Sequence, residues 1–123
     1  MKIRAVGAEH RFDQTAFADA VIDGFALPLM TTYTCPRCSE RVGFSKQNFE
    51  QRAPDQMSNL DVSVQQLFND WASGNGEASN PFLDWLCPGC ALAARVYAHL
   101  WAGGRHGDSG VDLSVVLEAH DES

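Results

Sequence analysis

The chain has 123 residues, 45% of them hydrophobic and 10% aromatic, enough for one domain with its own core and too few for two. Its formal net charge of −7 argues against a protein that neutralises phosphates over a broad surface. No stretch approaches the roughly 18 consecutive apolar residues of a membrane span, and residues 1–10 hold basic side chains but no apolar run of signal-peptide length, so the expected compartment is the cytoplasm.

Residues 1–34 read as an N-terminal extension that packs on the rest of the chain. Within it Phe12, Ala16, Phe17 and Ala20 recur at helical spacing, with Val21 beside Ala20, and Asp13 stands where a helix cap would. Residues 26–34 read as a strand, because Thr and Tyr favour strands and Pro28 fits a strand start or edge. The chain then passes through Cys35-Pro36-Arg37-Cys38 and returns through residues 40–45 as a second strand, which makes a hairpin. Residues 46–80 form an insertion. Its first part, 46–58, is polar, and Pro54 prevents one continuous helix. Over 62–72, Val64, Leu67, Phe68 and Trp71 fall at i, i+3, i+4 and i+7, which predicts an amphipathic helix. Ser63 and Gln66 have the spacing of a capping box at its start. Residues 74–81 break the helix in a loop.

Residues 82–86 lead into Cys87-Pro88-Gly89-Cys90. Residues 91–94 favour helix by propensity, whereas 96–101 suit either a strand or a buried helix. Residues 111–118 alternate as a strand, and a Gly-rich loop over 103–110 would join it to a preceding strand as a hairpin.

Cys35, Cys38, Cys87 and Cys90 are the only cysteines. Two-residue spacing lets a tight turn aim two thiolates at one point, and two such turns supply the four sulfurs of a tetrahedral Zn²⁺ site. A reducing cytosol favours metal over disulfide for such pairs. Four thiolates fill the coordination shell, so one structural ion is expected and no enzyme. Every cysteine is then taken, which leaves no Cys-His nucleophile, and no Ser-His-Asp set is evident. Zinc nucleobase deaminases carry Pro-Cys-x-x-Cys, whereas here Leu86 precedes Cys87. A thioredoxin-like dithiol would occur once in a βαβ frame, and none is visible. Iron also accepts four thiolates. His10, His99, His106 and His120 are scattered and read as surface or packing residues, as Trp71, Trp85 and Trp101 read as core.

The expected fold is α+β: one domain over 1–123, a small antiparallel sheet carrying two metal knuckles, a helical insertion and the N-terminal extension. At the two Cys-Pro-x-Cys turns the chain resembles the zinc-ribbon families, over about a third of its length. That resemblance implies a ribbon, with a treble clef as runner-up, in which a helix would run from Cys90 towards Trp101. Rubredoxin-like knuckles continue into Gly, where this chain has Ser39 and Ala91.

The charge is uneven. Residues 1–60 balance, whereas 61–123 carry Arg95 and Arg105 against nine acids. A short acidic chain with a closed metal site resembles, more loosely, the immunity proteins of bacterial toxin systems. This implies a non-catalytic inhibitor that docks on a basic protein partner, a cognate toxin. The candidate contacts are Asp61, Asp70, Glu77 and Asp84 around the insertion, and Arg105, His106, Asp108 and Asp112 around the last loop. The alternatives are a nucleic-acid module using Arg37, Arg41, Lys46 and Arg52, and a rubredoxin-like or dithiol redox protein.

Overall fold

The computed structural model describes residues 2–18, 20–22, 25–27, 30–45, 60–102 and 109–120. In chain order its elements are β1 (Lys2–Gly7), a 3-10 turn (Ala8–His10), β2 (Ala16–Ala18), β3 (Ala20–Ile22), β4 (Phe25–Leu27), β5 (Met30–Thr34), β6 (Arg41–Ser45), α1 (Val62–Asn75), β7 (Phe82–Leu86), β8 (Ala93–Ala102) and β9 (Ser109–His120). The main sheet is antiparallel, in the order β1-β9-β8-β7, with β2 pairing the remainder of the β9 edge. Two further hairpins, β3–β4 and β5–β6, each pair within themselves.

Alternation along these strands separates two buried faces. On β8, Ala93 and Tyr97 face one way, and Ala94, Val96 and Ala98 the other. On β9 the register shifts, so that Val96 opposes Val116 while Ala98 opposes Leu113. The extra β9 residue is a bulge that keeps Val116 and Leu113 on one face despite their odd spacing. One face is covered by α1, whose buried stripe of Val64, Phe68 and Ala72 meets Tyr97, Leu117 and Ala119. The other is covered by the β5–β6 hairpin and by the segment around Phe12.

Each cover is fastened by a buried ion pair. Under α1, Arg95 is 1% exposed and makes a bidentate pair with Asp84, its cross-strand neighbour, while donating to Asn69 Oδ1 of α1 at 2.7 Å. Its guanidinium lies 3.7 Å over the Phe82 ring. Burial alone would lower the Arg95 pKa, but the Asp84 carboxylate more than offsets this and holds it raised. On the opposite face Glu118, fully buried, accepts from Tyr33 Oη at 2.6 Å and from Arg11 Nε at 2.8 Å. The hydrogen bond to Glu118 raises the Arg11 pKa, and burial holds Tyr33 protonated.

Several expectations need correction. The N-terminal extension also supplies strands to the main sheet, because β1 and β2 pair along the β9 edge. The helix read from Phe12, Ala16 and Phe17 does not form. Ala16–Ala18 pairs with β9, and Phe12 bridges to Tyr33. Asp13 caps no helix; it accepts from Thr32 N at 2.7 Å and from Thr31 Oγ1 at 3.0 Å, which lowers its pKa. The expected 62–72 helix is present and longer. Its stripe is rotated so that Ala72 is buried while Leu67 is 37% exposed. Ser63 lies inside it, Asp61 takes the cap position without a side-chain bond, and Gln66 donates to Asp70 instead. Residues 93–102 form a strand, so no helix of treble-clef type runs on from the second knuckle. The readings of 46–58 and of the 103–108 loop fall outside the described residues. Among the described residues no helix is long and apolar enough to cross a membrane.

Candidate metal centre

The two cysteine turns are built alike. Cys35–Ser39 closes the β5–β6 hairpin, with Cys35 N donating to Glu40 O at 2.9 Å and Ser39 N to Cys35 O at 3.0 Å. Cys87–Ala91 closes the β7–β8 hairpin, with Cys87 N donating to Leu92 O at 2.9 Å and Ala91 N to Cys87 O at 2.8 Å. Ser39 and Ala91 both take the left-handed conformation, with φ of 65° and 60°. The backbone therefore bends where a rubredoxin-like knuckle would carry Gly, without a Gly there. The departure from Gly in the sequence is thus no argument against iron.

An aromatic residue stands two positions before the first cysteine of each turn, on the same strand face. These two rings, Tyr33 and Trp85, meet edge-on with centroids 4.9 Å apart. Phe44 and Phe12 complete the cluster at 4.9 and 6.4 Å from Trp85. This apolar floor seats the first hairpin on the sheet and brings the turns face to face.

The four sulfurs of Cys35, Cys38, Cys87 and Cys90 lie within 4.8 Å of one another. The contacts are Cys38–Cys87 at 3.4 Å and Cys35–Cys90 at 3.6 Å, both between hairpins. A tetrahedral ion with bonds of about 2.3 Å needs sulfurs about 3.8 Å apart, so the residues present fit a four-thiolate metal after small adjustments. Cys35 and Cys87 are buried, Cys90 is half-buried and Cys38 is exposed.

The thiols shape one another's protonation. For Cys87 burial opposes ionisation, but the amides of Cys90 and Gly89 and the thiols of Cys38 and Cys35 bring its pKa down to about 7. For Cys38 the Glu40 amide favours the thiolate, yet the Cys87, Cys90 and Cys35 thiols around it push its pKa up to about 12. Burial raises Cys35. The surroundings thus favour the thiolate at Cys87 and oppose it at Cys38 and Cys35, so a cation entering the cluster would replace protons.

Gly89 was not singled out from the sequence. A Cβ there would stand 2.9 Å from Cys38 Sγ and 3.3 Å from Glu40 Cβ. The second turn approaches the first closely only because this position is bare. The signal was present in the contrast between Pro36-Arg37 and Pro88-Gly89. Glu118 was also missed, although it shares the Val116 face of an alternating strand and so had to be buried.

The other candidate residues are dispersed. Asp61, Asp70 and Asp112 are exposed, and Glu77 is half-buried and accepts from Asn80. Asp84 is a correction: its side chain is 4% exposed and engaged by Arg95, so it offers nothing to a docking partner. Arg105, His106, Asp108, Lys46 and Arg52 lie outside the described residues, whereas Arg37 and Arg41 are exposed on the first hairpin. By spacing, His120-Asp121-Glu122 is a His-x-Glu, the pattern of zinc nucleobase deaminases. His120, however, stands 3.7 Å from Glu118 on β9 and is no member of the sulfur cluster. No protein-family model matches the chain, and no curated protein or solved structure matches it.

Proposed function

We propose that the four cysteines hold one Zn²⁺ whose role is to fold the domain, and that the chain acts without catalysis, by binding a protein partner. The observation that carries the metal reading is the convergence of four sulfurs from two hairpins that lie 49 and 55 residues apart at their contacting cysteines. A full thiolate shell leaves the ion no position for substrate, and its binding energy becomes folding energy. Metal analysis of protein purified without chelator tests this. One zinc per chain and a colourless sample are expected, and a red sample would assign iron instead. Replacing Cys87 by Ser should give insoluble protein; a soluble, folded, metal-free Cys87→Ser variant overturns the structural role.

The partner reading rests on charge and on the outer side of α1. Val62 is 80% exposed and Leu67 37% exposed, beside the carboxylates of Asp61 and Asp70. Apolar side chains rimmed by acids suit a partner with a basic, partly apolar surface, as an immunity-type inhibitor of a basic toxin would require. Native mass spectrometry on protein from its own cells checks this. A stoichiometric basic protein, with an association rate that falls as salt rises, is the expected result. Salt-independent association refutes charge steering, and bound nucleic acid in place of protein moves the function to Arg37 and Arg41.

A further inference from the structure

The four sulfurs are not equally sheltered. Cys35 and Cys87 are 1% and 3% exposed, whereas Cys38 is exposed at the rim. The shortest sulfur contact runs from Cys38 to Cys87 across the interface, at 3.4 Å, with all four sulfurs within 4.8 Å of one another. The remaining two, Cys35 and Cys90, are in contact at 3.6 Å, again across the interface. Gly89 adds to the arrangement, because its missing side chain is what lets the second turn lie against Cys38 Sγ.

We propose that Cys38 is a peroxide-sensitive entry point to the metal centre and that its oxidation ends in a Cys38–Cys87 disulfide with release of the ion. This rests on the proposed zinc site. Hydrogen peroxide is the oxidant. The Cys38 thiolate attacks one peroxide oxygen, the O–O bond breaks, and hydroxide leaves to become water on protonation. The sulfur is now a sulfenic acid, oxidised by two electrons. The Cys87 thiolate then attacks the Cys38 sulfur, the S–S bond forms, and the second oxygen leaves as water after taking a proton. One peroxide is reduced to two waters and two thiolates become one disulfide. The ion loses two of its four ligands and dissociates. A second peroxide can close Cys35 and Cys90 in the same way.

The pairing across hairpins has a consequence that pairing within a turn would not. Disulfides Cys35–Cys38 and Cys87–Cys90 would leave the two hairpins untied once the metal had gone. Cys38–Cys87 instead replaces the metal link by a covalent link between the same hairpins. The oxidised chain keeps its fold while giving up zinc, so the change is reversible by a thiol reductant.

The test is hydrogen peroxide added to the zinc-loaded protein, with zinc release tracked by a chromophoric chelator and the disulfides mapped by peptide mass spectrometry. The expected result is release in step with a Cys38–Cys87 link, and recovery of zinc binding after reduction. The Cys38→His variant keeps a fourth ligand but no exposed sulfur, and should release zinc at least about tenfold more slowly. Links within the turns, or first oxidation at Cys90, overturn the proposal on the wild-type protein alone, whether or not the variant folds. Metal analysis before peroxide separates the two readings. No zinc at the start overturns the zinc reading and the release step with it, whereas zinc at the start with links within the turns overturns only this assignment.

Discussion

Replacing Gly89 by Ala tests whether the close approach of the two turns is what makes the metal centre. The new Cβ would lie 2.9 Å from Cys38 Sγ and 3.3 Å from Glu40 Cβ. Non-bonded heavy atoms settle at about 3.5–4.0 Å, so the sulfur contact must open by about 0.6 Å or more. With the proposed ion bound, Cys38 cannot swing aside, because its sulfur would be a ligand, and metal–ligand lengths tolerate only about 0.2 Å. The hairpins must therefore part or the ion must lose a bond. Distortion of this kind costs about 10–100-fold in metal affinity, or about 1.4–2.8 kcal/mol. Because that energy is also folding energy, the loaded protein should melt roughly 5–15 °C lower. Competition for zinc with a chromophoric chelator reads the affinity, and calorimetry reads the melting. Arg37→Ala is the control, because it changes the matching position of the first turn, which is exposed. An affinity and melting point for Gly89→Ala indistinguishable from wild type would refute the reasoning.

Three further outcomes are expected from the same geometry. Ala91→Gly and Ser39→Gly relieve a left-handed backbone with φ near 60–65°, and each should stabilise the protein by about 0.5–1 kcal/mol in urea unfolding; a loss of stability would show that the turns carry no strain. Tyr33→Phe removes the 2.6 Å bond to the buried Glu118 carboxylate and should cost about 1.5–3 kcal/mol with metal stoichiometry unchanged; an unfolding midpoint equal to wild type would count against it. Zinc binding should weaken throughout the fall in pH from 8 to 6, because the ion displaces the protons that the cluster holds, and more steeply below about 7, where Cys87 takes one up as well. A pKa lowered from 9.0 to about 7 contributes stability that is fully present above the ordinary thiol value and lost as pH falls from there through about 7, so melting of the zinc-loaded protein should decline over that window; a chelator titration with constant affinity from pH 8 to 6 would contradict this.

What the sequence disclosed depends on the range of the interactions involved. The turns at Cys35–Cys38 and Cys87–Cys90, the β5–β6 return and the α1 stripe are set by spacings of two to eight residues, and they were legible. Residues 12–20 misled because a period near 3.6 in Phe12, Ala16 and Phe17 arises here from two unrelated contacts. Phe12 packs on Tyr33, and Ala16–Ala18 pairs with β9 some ninety residues away. Residues 91–94 have helical propensity, but Ala91 and Leu92 are taken up by the cysteine turn, and for Ala93 and Ala94 backbone pairing with both β7 and β9 outweighs a preference of a few tenths of a kcal/mol per residue. Asp84 looked like a surface acid because its partner, Arg95, lies across a turn and not beside it in the chain. Gly89 differs visibly from Arg37 at the matching position, but its role was not legible for a related reason, since only the opposing turn gives a bare Cα its purpose.

The first hairpin shows what an ion held by the four sulfurs would do for the fold. Among the described residues β5 and β6 pair with each other and with the short segment at residues 11–14, through bonds such as Thr34 N to Arg11 O at 2.9 Å. One face of the hairpin is wet: Thr34, Arg41 and Gly43 are exposed. A two-stranded hairpin with one apolar face is marginal by itself. Its fastenings to the sheet are the Tyr33–Trp85 and Phe44–Trp85 ring contacts, the Tyr33–Glu118 bond and the four sulfurs. The first three lie on one side of the Cys35 and Cys87 positions, and the sulfurs close the other. Without the proposed ion the hairpin would keep its hinge at the aromatic floor but lose its far edge. Local opening at residues 33–42 should then precede global unfolding, which places hydrogen exchange of the Cys35 and Ser39 amides among the first to rise on chelation. Exchange that rises uniformly over β8 and β9 at the same time would instead make the ion part of a single cooperative core.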